Sequence, residues 1–301
     1  MNEPGIPELG IAFAFAERVD ACDVCGGGGF SSVDASANVV QCQACGYRFV
    51  NPRPSQQEIA AAYSDPHFYD GWIADESGRQ EMWRKRFALV GTRTRGTRLL
   101  DVGAGIGAFI ALAKAQGWSV SGTEVSTSAR NLARQRYGLE LLYGQAEDLH
   151  LPARAFDVVT LWHVLEHVPS PSRLLQACEQ ALVPGGFLVV AVPNDDEAAF
   201  IPNRLKGAVL GALGRPRTPR VRYERLRPGS EIHLSHFTLP VLRRLLESTG
   251  FVVRWVSVDD HYTAPSLTTD LRVAAYRAVR LLTGANLGQA MVVVAEFRGT
   301  S

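Results

Sequence analysis

Leu99-Leu-Asp-Val-Gly-Ala-Gly-Ile-Gly-Ala108 is the stretch that decides the fold. It reads as a strand running into a glycine loop and then into a helix. Gly103, Gly105 and Gly107 let backbone come close to a ligand, and the helix N-terminus beyond them presents free amides. The loop alone also satisfies the G-x-G-x-x-A spacing of a dinucleotide site, so NAD is a competitor. Two acids tilt the balance. Asp101 stands directly before the loop, where a carboxylate accepts from the cationic amino-acid end of a ligand and is unwelcome beside a pyrophosphate. Glu124 ends the next strand about 20 residues on, suited to both hydroxyls of a ribose.

Working outward from Thr97, strand and helix patterns alternate, the signature of a parallel sheet with crossover helices. The pattern predicts strands at Arg98–Val102, Ser119–Glu124, Leu139–Tyr143, Phe156–Leu161 and Gly186–Val192, with Pro184-Gly-Gly186 as a turn before the last of these. Helices are expected near Gly107–Ala115, Ser126–Tyr137, Pro171–Ala181 and Leu239–Thr249. Two final strands, Phe251–Val258 and Gln289–Arg298, close the sheet. A further helix at Leu271–Leu282 puts Leu271, Ala274, Ala278 and Leu282 on one side, expected to cover the sheet or an acceptor pocket. The fold class is α/β, a Rossmann-like doubly wound sheet of seven strands, mostly parallel with an antiparallel last strand.

Four of the five cysteines form two pairs, Cys22-Asp-Val-Cys25 and Cys42-Gln-Ala-Cys45. Two-residue spacing lets one tight turn aim two thiolates at one ion, and two such turns complete a tetrahedral structural Zn²⁺ site. Gly26 and Gly46 follow the pairs, where a knuckle turn favours positive φ. The alternative is a thioredoxin-like redox pair, which does not account for two pairs at this separation. Cys178 falls in a helical stretch and reads as a buried small hydrophobe. The expected organisation is a zinc ribbon over residues 12–54, with strands Asn38–Gln41 and Tyr47–Val50, then a helical linker or lid over 55–96. In that lid Ser55-Gln-Gln-Glu58 reads as a capping box, and a helix runs from about Ser77 to Val90. The domain from 97 to 301 follows, with an insertion at 198–232.

These motifs together resemble class I S-adenosylmethionine-dependent methyltransferases. Asp101–Gly107 is similar to the family's glycine motif, and Gly122-Thr-Glu-Val-Ser126 to its acidic second-strand motif. Gln145-Ala-Glu-Asp-Leu149 with Phe156-Asp-Val-Val159 is similar to its adenine loop and fourth strand. Leu165-Glu-His-Val168 and Leu182-Val-Pro-Gly-Gly186 resemble the motifs around the fifth strand. The four-cysteine ribbon, Asn51-Pro-Arg-Pro54 and His233-Leu-Ser-His-Phe-Thr238 resemble a bacterial branch associated with sugar or secondary-metabolite methylation. By position, the resemblance implies that Asp101 binds the methionine portion, that Gly103, Ala104, Gly105 and Gly107 form the loop, and that Glu124 holds the ribose. Val125 would pack on the adenine, with Ala146 and Glu147 at its edge. Trp162 and His163 would line the methionine end, and Tyr69 and Trp72 would form a lid. Each aromatic has core packing as its plainer reading.

Methyl transfer needs placement more than a special residue, although an oxygen or carbon acceptor gains from a base. Among the seven histidines, His163 is the first choice because it follows a strand at the carboxyl edge of the sheet. His233 and His236 come second; for all three, bracing a loop is the alternative. Some quinone-pathway O-methyltransferases of this fold carry a metal at acid-x-x-Glu-His. Here His163 stands where the first acid would be; His-x-x-Glu-His can still ligate a transition metal, and the plainer reading is that Glu166 and His167 cap and brace the following helix.

Composition narrows the partners. With 31 basic and 30 acidic residues the net charge is +1, which does not indicate a protein that coats nucleic acid. No leader-like or membrane-spanning run stands out, so the cytoplasm is the expected location. The arginines between Arg204 and Arg227 suit a phosphate- or carboxylate-bearing acceptor, and Ala198–Leu213 suits a membrane surface. Three competing readings remain beside small-molecule methylation: an rRNA or tRNA methyltransferase, a non-catalytic zinc-ribbon interaction protein, and an NAD oxidoreductase. Residues 22–45 contain no Lys or Arg, which weighs against RNA recognition by the ribbon.

Overall fold

Leu99, Leu100 and Val102 are buried, as a strand covered on both faces requires. A computed structural model of the chain describes residues 12–65, 67–196, 222–259 and 267–299. Its strands are β1 (Phe30–Asp34), β2 (Val39–Cys42), β3 (Arg48–Val50), β4 (Arg98–Val102), β5 (Ser119–Glu124), β6 (Leu142–Tyr143), β7 (Phe156–Trp162), β8 (Leu182–Pro193), β9 (Ser235–His236), β10 (Phe251–Val258) and β11 (Ala290–Phe297). Its helices are α1 (Gln56–Tyr63), α2 (Asp70–Ala74), α3 (Glu76–Arg93), α4 (Ala108–Ala115), α5 (Thr127–Tyr137), α6 (Pro171–Ala181), α7 (Leu239–Ser248) and α8 (Leu267–Thr283).

Seven strands form one sheet in the order β10-β11-β8-β7-β4-β5-β6. β11 runs antiparallel to both its neighbours, and the pairs from β8 to β6 are parallel. The fold class read from the sequence is the one observed. The chain winds from β4 outward to β6 and then returns to β7, so a switch point opens at the carboxyl ends of β4 and β7, where ligands bind in such sheets. One face packs Leu100, Val159 and Leu161 against Leu174 and Cys178 of α6 and Leu242 and Leu245 of α7. The other packs Leu99 and Val158 against Val90 of α3, Phe109 and Ile110 of α4 and Ala133 of α5.

Several boundaries differ from expectation for physical reasons. β8 begins at Leu182, before the Pro184-Gly-Gly sequence, because Gly185 at φ +78° and a register shift opposite Phe156–Val158 absorb the irregularity inside the strand. β6 is only two residues, since Gly138 ends α5 in the left-handed region and Leu139 and Leu141 turn into the core. The capping box at Ser55 and Glu58 is present.

The smaller sheet has the order β1-β2-β3-β9. Neither β1 nor β9 is expected from sequence, and β9 comes from the His233–Thr238 block. Arg48 pairs with His236 and Phe49 with Ser235. Tyr47 stacks between Phe49 and Phe237, and Asp23 accepts from Ser170 Oγ at 2.6 Å and the Ser172 amide at 2.7 Å, capping α6. The cysteine-bearing segment thus shares its packing with the main core.

α8 packs on β10 through Val273 and Arg280, whereas Leu271, Ala274, Ala278 and Leu282 are exposed. The expectation that this side covers the sheet is therefore wrong: periodicity reveals an apolar side but not what it meets. Among the described residues no helix is long and apolar enough to cross a membrane. Ala198–Leu213, and the basic residues from Arg204 to Arg220, lie outside the described residues.

Candidate functional site

The loop after β4 needs glycine twice over. Gly103 and Gly105 have φ of +67° and +56°, a region that strains residues with a Cβ. A Cβ on Gly103 would also lie 2.6 Å from Val164, and one on Gly105 would lie 3.1 Å from the Trp72 ring. Glu124, at the end of β5, ties the loop down: Oε2 accepts from the Gly105 amide and Oε1 from the Ser126 amide, both at 2.8 Å. Burial raises its pKa against the pull of those amides.

A cleft of about 1040 Å³, partly open to solvent, lies at these strand ends. Gly103, Gly105, Glu124, Val125, Ala146, Glu147, Trp162, His163 and Tyr69 all border it. Three expected residues stand behind its wall. Ala104 pins the loop by donating from its amide to the Thr123 carbonyl at 2.9 Å, and Gly107 packs against Ala133 and Leu139 at the start of α4. Asp101 is 2% exposed and accepts from Thr160 Oγ1 at 2.6 Å. Burial pushes its carboxyl up to about 7, while Thr160 pulls the other way.

An aromatic chain forms the wall contributed by residues 55–96. Tyr63, Phe68, Tyr69 and Trp72 meet edge to face at successive centroid distances of 5.1, 5.2 and 5.2 Å, and Arg79 lies 3.8 Å over Trp72. Trp162 closes the opposite side among Trp83, Phe109 and Arg86.

The expected histidines separate. His163, at φ +56°, is held between two carboxylates, with Nδ1 3.2 Å from Glu166 Oε1 and Nε2 3.3 Å from Asp259 Oδ2. Burial opposes its charge, but Asp259 and Glu166 outweigh burial and raise the pKa to about 9. Asp259 is fixed in turn by Arg86 Nη2 at 2.6 Å. Sequence reasoning missed Arg86 and Asp259, which belong to no motif and arrive from α3 and the end of β10. It also read His167 as a brace and gave Tyr63 no place in the site. In the structure both border the cleft. His167 Nδ1 donates to the Ile232 carbonyl at 2.7 Å and lies 2.9 Å from Tyr63 Oη, so its lone pair is on Nε2, 3.9 Å from Glu166 Oε1. Glu166 Oε2 is buried with no partner among the described residues.

His233 lies beside His167, with ring centroids 4.9 Å apart, and its Nε2 is 3.3 Å from Glu231. His236 is elsewhere: it packs on Tyr223 at 4.7 Å and borders a second cavity with Asp195 and Arg222. Burial lowers its pKa to about 4. The structure therefore does not bring His163, His233 and His236 into one catalytic group. Nor does His163 join a metal set with Glu166 and His167, because both its nitrogens face carboxylates. Of the arginine stretch, Arg222 turns inward to Asp195, and Arg225 lies over Phe15.

The four cysteines converge. Cys22 Sγ is 3.6 Å from Cys45 Sγ, as Cys25 Sγ is from Cys42 Sγ, and all four sulfurs lie within 4.8 Å of one another. A disulfide is ~2.05 Å, whereas sulfurs at the corners of a tetrahedron around zinc are about 3.8 Å apart. Gly26 and Gly46, at φ +73° and +78°, donate their amides to the Cys22 and Cys42 carbonyls and shape matching knuckles. The cluster is compatible with structural zinc.

A model described as "Methyltransferase domain" matches residues 75–255, more than half of the chain. A ubiquinone biosynthesis O-methyltransferase of Haemophilus ducreyi is 36% identical over 130 residues, 38% of this chain and 55% of that protein. A protein of the same description from Coxiella burnetii is 33% identical over 36% of this chain and 48% of its own. The chain spans about half the length of the curated relatives it matches. A 1,6-didemethyltoxoflavin-N1-methyltransferase from Burkholderia thailandensis, solved with 1,6-didemethyltoxoflavin and S-adenosylhomocysteine, is 20% identical. It covers 90% of this chain and 99% of that one with a TM-score of 0.52, a likeness of fold.

Proposed function

The chain belongs to the methyltransferase-domain family, and on that premise we propose that it transfers the methyl group of S-adenosylmethionine to an oxygen of a small-molecule acceptor. The observation that carries this reading is the cleft joining the strained glycine loop and Glu124 to Trp162 and His163. The O-methyltransferase descriptions of the relatives favour oxygen as the acceptor atom. A sugar or secondary metabolite bearing a hydroxyl is the substrate class in this reading. The domain plan is a zinc ribbon over 12–54, a lid over 55–96 and a methyltransferase domain over 97–301 with a recognition insertion at 198–232. Reduced zinc-bound thiols suit a cytoplasmic setting.

When bound, S-adenosylmethionine supplies a methyl carbon activated by sulfonium. Glu124 would accept from the ribose hydroxyls on its free lone pairs, Val125 and Ala146 would flank the adenine, and Gly103 and Gly105 would admit the chain of the amino acid. Tyr69 and Trp72 would exclude water. His163 has no free lone pair in its observed setting and contributes a positive charge near the methionine end. His167 is the proton acceptor in this reading: Nδ1–H is committed to Ile232, and Nε2 would take the hydroxyl proton as oxygen attacks the methyl carbon. Glu166, its second oxygen unpartnered, would stabilise the imidazolium that forms.

Calorimetric titration with S-adenosylmethionine and with NAD tests the cofactor. Binding of S-adenosylmethionine alone supports the reading, and binding of NAD alone overturns it. Incubation with methyl-labelled donor and a panel of phenols, sugars, amines and RNA then tests the acceptor; label on nitrogen or on RNA would refute the oxygen assignment.

A further inference from the structure

The first cysteine knuckle carries an acid whose partners lie outside the ribbon. Asp23 stands between Cys22 and Cys25, in a turn closed by the Gly26 amide on the Cys22 carbonyl at 2.7 Å and the Cys22 amide on the Gly27 carbonyl at 2.9 Å. Its carboxylate reaches across 147 and 149 residues of sequence to Ser170 and Ser172. Oδ1 accepts from Ser170 Oγ at 2.6 Å and Ser172 Oγ at 2.9 Å, and Oδ2 accepts from the Ser172 amide at 2.7 Å. Ser170 is the N-cap residue of α6 yet makes no side-chain cap of its own. The knuckle therefore supplies the anion that a helix N-terminus favours.

The stretch held in this way borders the cleft: His167, Val168 and Pro169 precede Ser170, Leu174 follows it, and all four line the cavity. A second tether is independent of the cysteines. Arg53 donates from Nη1 to the Pro169 carbonyl at 2.7 Å and from Nε to Glu17 at 3.1 Å. We propose that Asp23 is a positioning residue that transmits metal occupancy of the four-cysteine site to this wall, so that the zinc-loaded chain binds S-adenosylmethionine more tightly than the zinc-free chain. The inference rests on the cleft being the site of that cofactor. Metal-bound cysteines on both sides of Asp23 fix its backbone, and its three hydrogen bonds define one position for the carboxylate. Without the metal only the turn hydrogen bonds hold the knuckle. A displaced Asp23 uncaps α6 and loosens the loop from His167 to Ser170, and Arg53 cannot replace it because its tether leaves the Ser172 amide open.

Calorimetry with S-adenosylmethionine on the full chain tests this, with hydrogen exchange at the Ser172 amide followed on the same samples. Stripping zinc with a chelator and Asp23→Ala should each weaken binding by about tenfold, and stripping the Asp23→Ala protein should weaken it no further. Asp23→Asn keeps an oxygen for both serine hydroxyls and loses the bond to the Ser172 amide, so its affinity should fall between native and Asp23→Ala. The Ser172 amide should exchange faster in the stripped and Asp23→Ala proteins, and zinc returned to the native chain should restore both readings. Equal affinity with and without zinc overturns the proposal, as do additive losses. Loss of zinc from Asp23→Ala also overturns it, since Asp23 would then act on the metal and not the reverse. If the stripped chain unfolds, the zinc-loaded Asp23 variants decide: graded affinities support the proposal and three equal ones overturn it. A native chain that binds no S-adenosylmethionine refutes the cofactor reading instead. Exchange at Ser172 then decides the coupling by itself, faster without zinc in support and unchanged against.

Discussion

The hydroxyl oxygens of Tyr47 and Ser235 share a buried hydrogen bond of 2.6 Å across 188 residues of sequence. It fastens the cysteine ribbon to the block that follows Ile232, whose carbonyl orients His167. Tyr47→Phe should cost about 1–2 kcal/mol, because it strands a buried hydroxyl. Adding Ser235→Ala should cost little more. Urea unfolding of both single variants and the double reads this directly, and fully additive losses would mean that the two hydroxyls do not act together.

Zinc should be structural. Mass spectrometry should find one zinc per chain, and Cys25→Ser or a strong chelator should lower the unfolding midpoint. Since the ribbon shares its core with the larger domain, the domain should remain folded but destabilised by a few kcal/mol. A metal-free protein with an unchanged midpoint would remove the metal from the account of the fold.

Glu124→Gln should weaken S-adenosylmethionine binding by about 10- to 100-fold, losing charge where ribose hydroxyls donate and disturbing the Gly105 amide. Calorimetry measures it, with the unfolding midpoint as a control for folding. Unchanged affinity would move the cofactor out of this cleft.

Asp101 gives a pH signature. Folding raises its pKa from about 3.9 to about 7, so the folded state favours the neutral acid. Its contribution to stability is full below pH 4 and is lost as pH rises toward and through 7. Asp101→Asn, neutral throughout, should gain on the native protein by roughly 1–4 kcal/mol between pH 4 and pH 8. Parallel stability curves across that range would show that Asp101 is ionised throughout.

The large sheet was legible because its information is local. β4 and its glycine loop, the acid at Glu124 and the alternation up to β8 are all written within a few residues of where they act. β9 was not legible: two residues, Ser235 and His236, become a strand only because Arg48 and Phe49 are there to pair with. His163 could be placed at the carboxyl edge of the sheet, but its chemistry depends on Asp259, 96 residues away and without a motif. The same limit hid His167, whose tautomer is set by a backbone carbonyl 65 residues on.

The late arrival of β9 also sets an order of events during synthesis. β3 ends at Val50 and its partner begins at Ser235, so a ribosome adding 5–20 residues per second takes roughly 10–40 s to make the intervening chain. For that interval the knuckles can load metal while one edge of their sheet stands open, a template for stray strand addition. A nascent chain released before Ser235 keeps that edge open permanently. Message truncation anywhere between these two points should therefore yield products that aggregate through the ribbon, even where the cysteines are intact and charged with zinc.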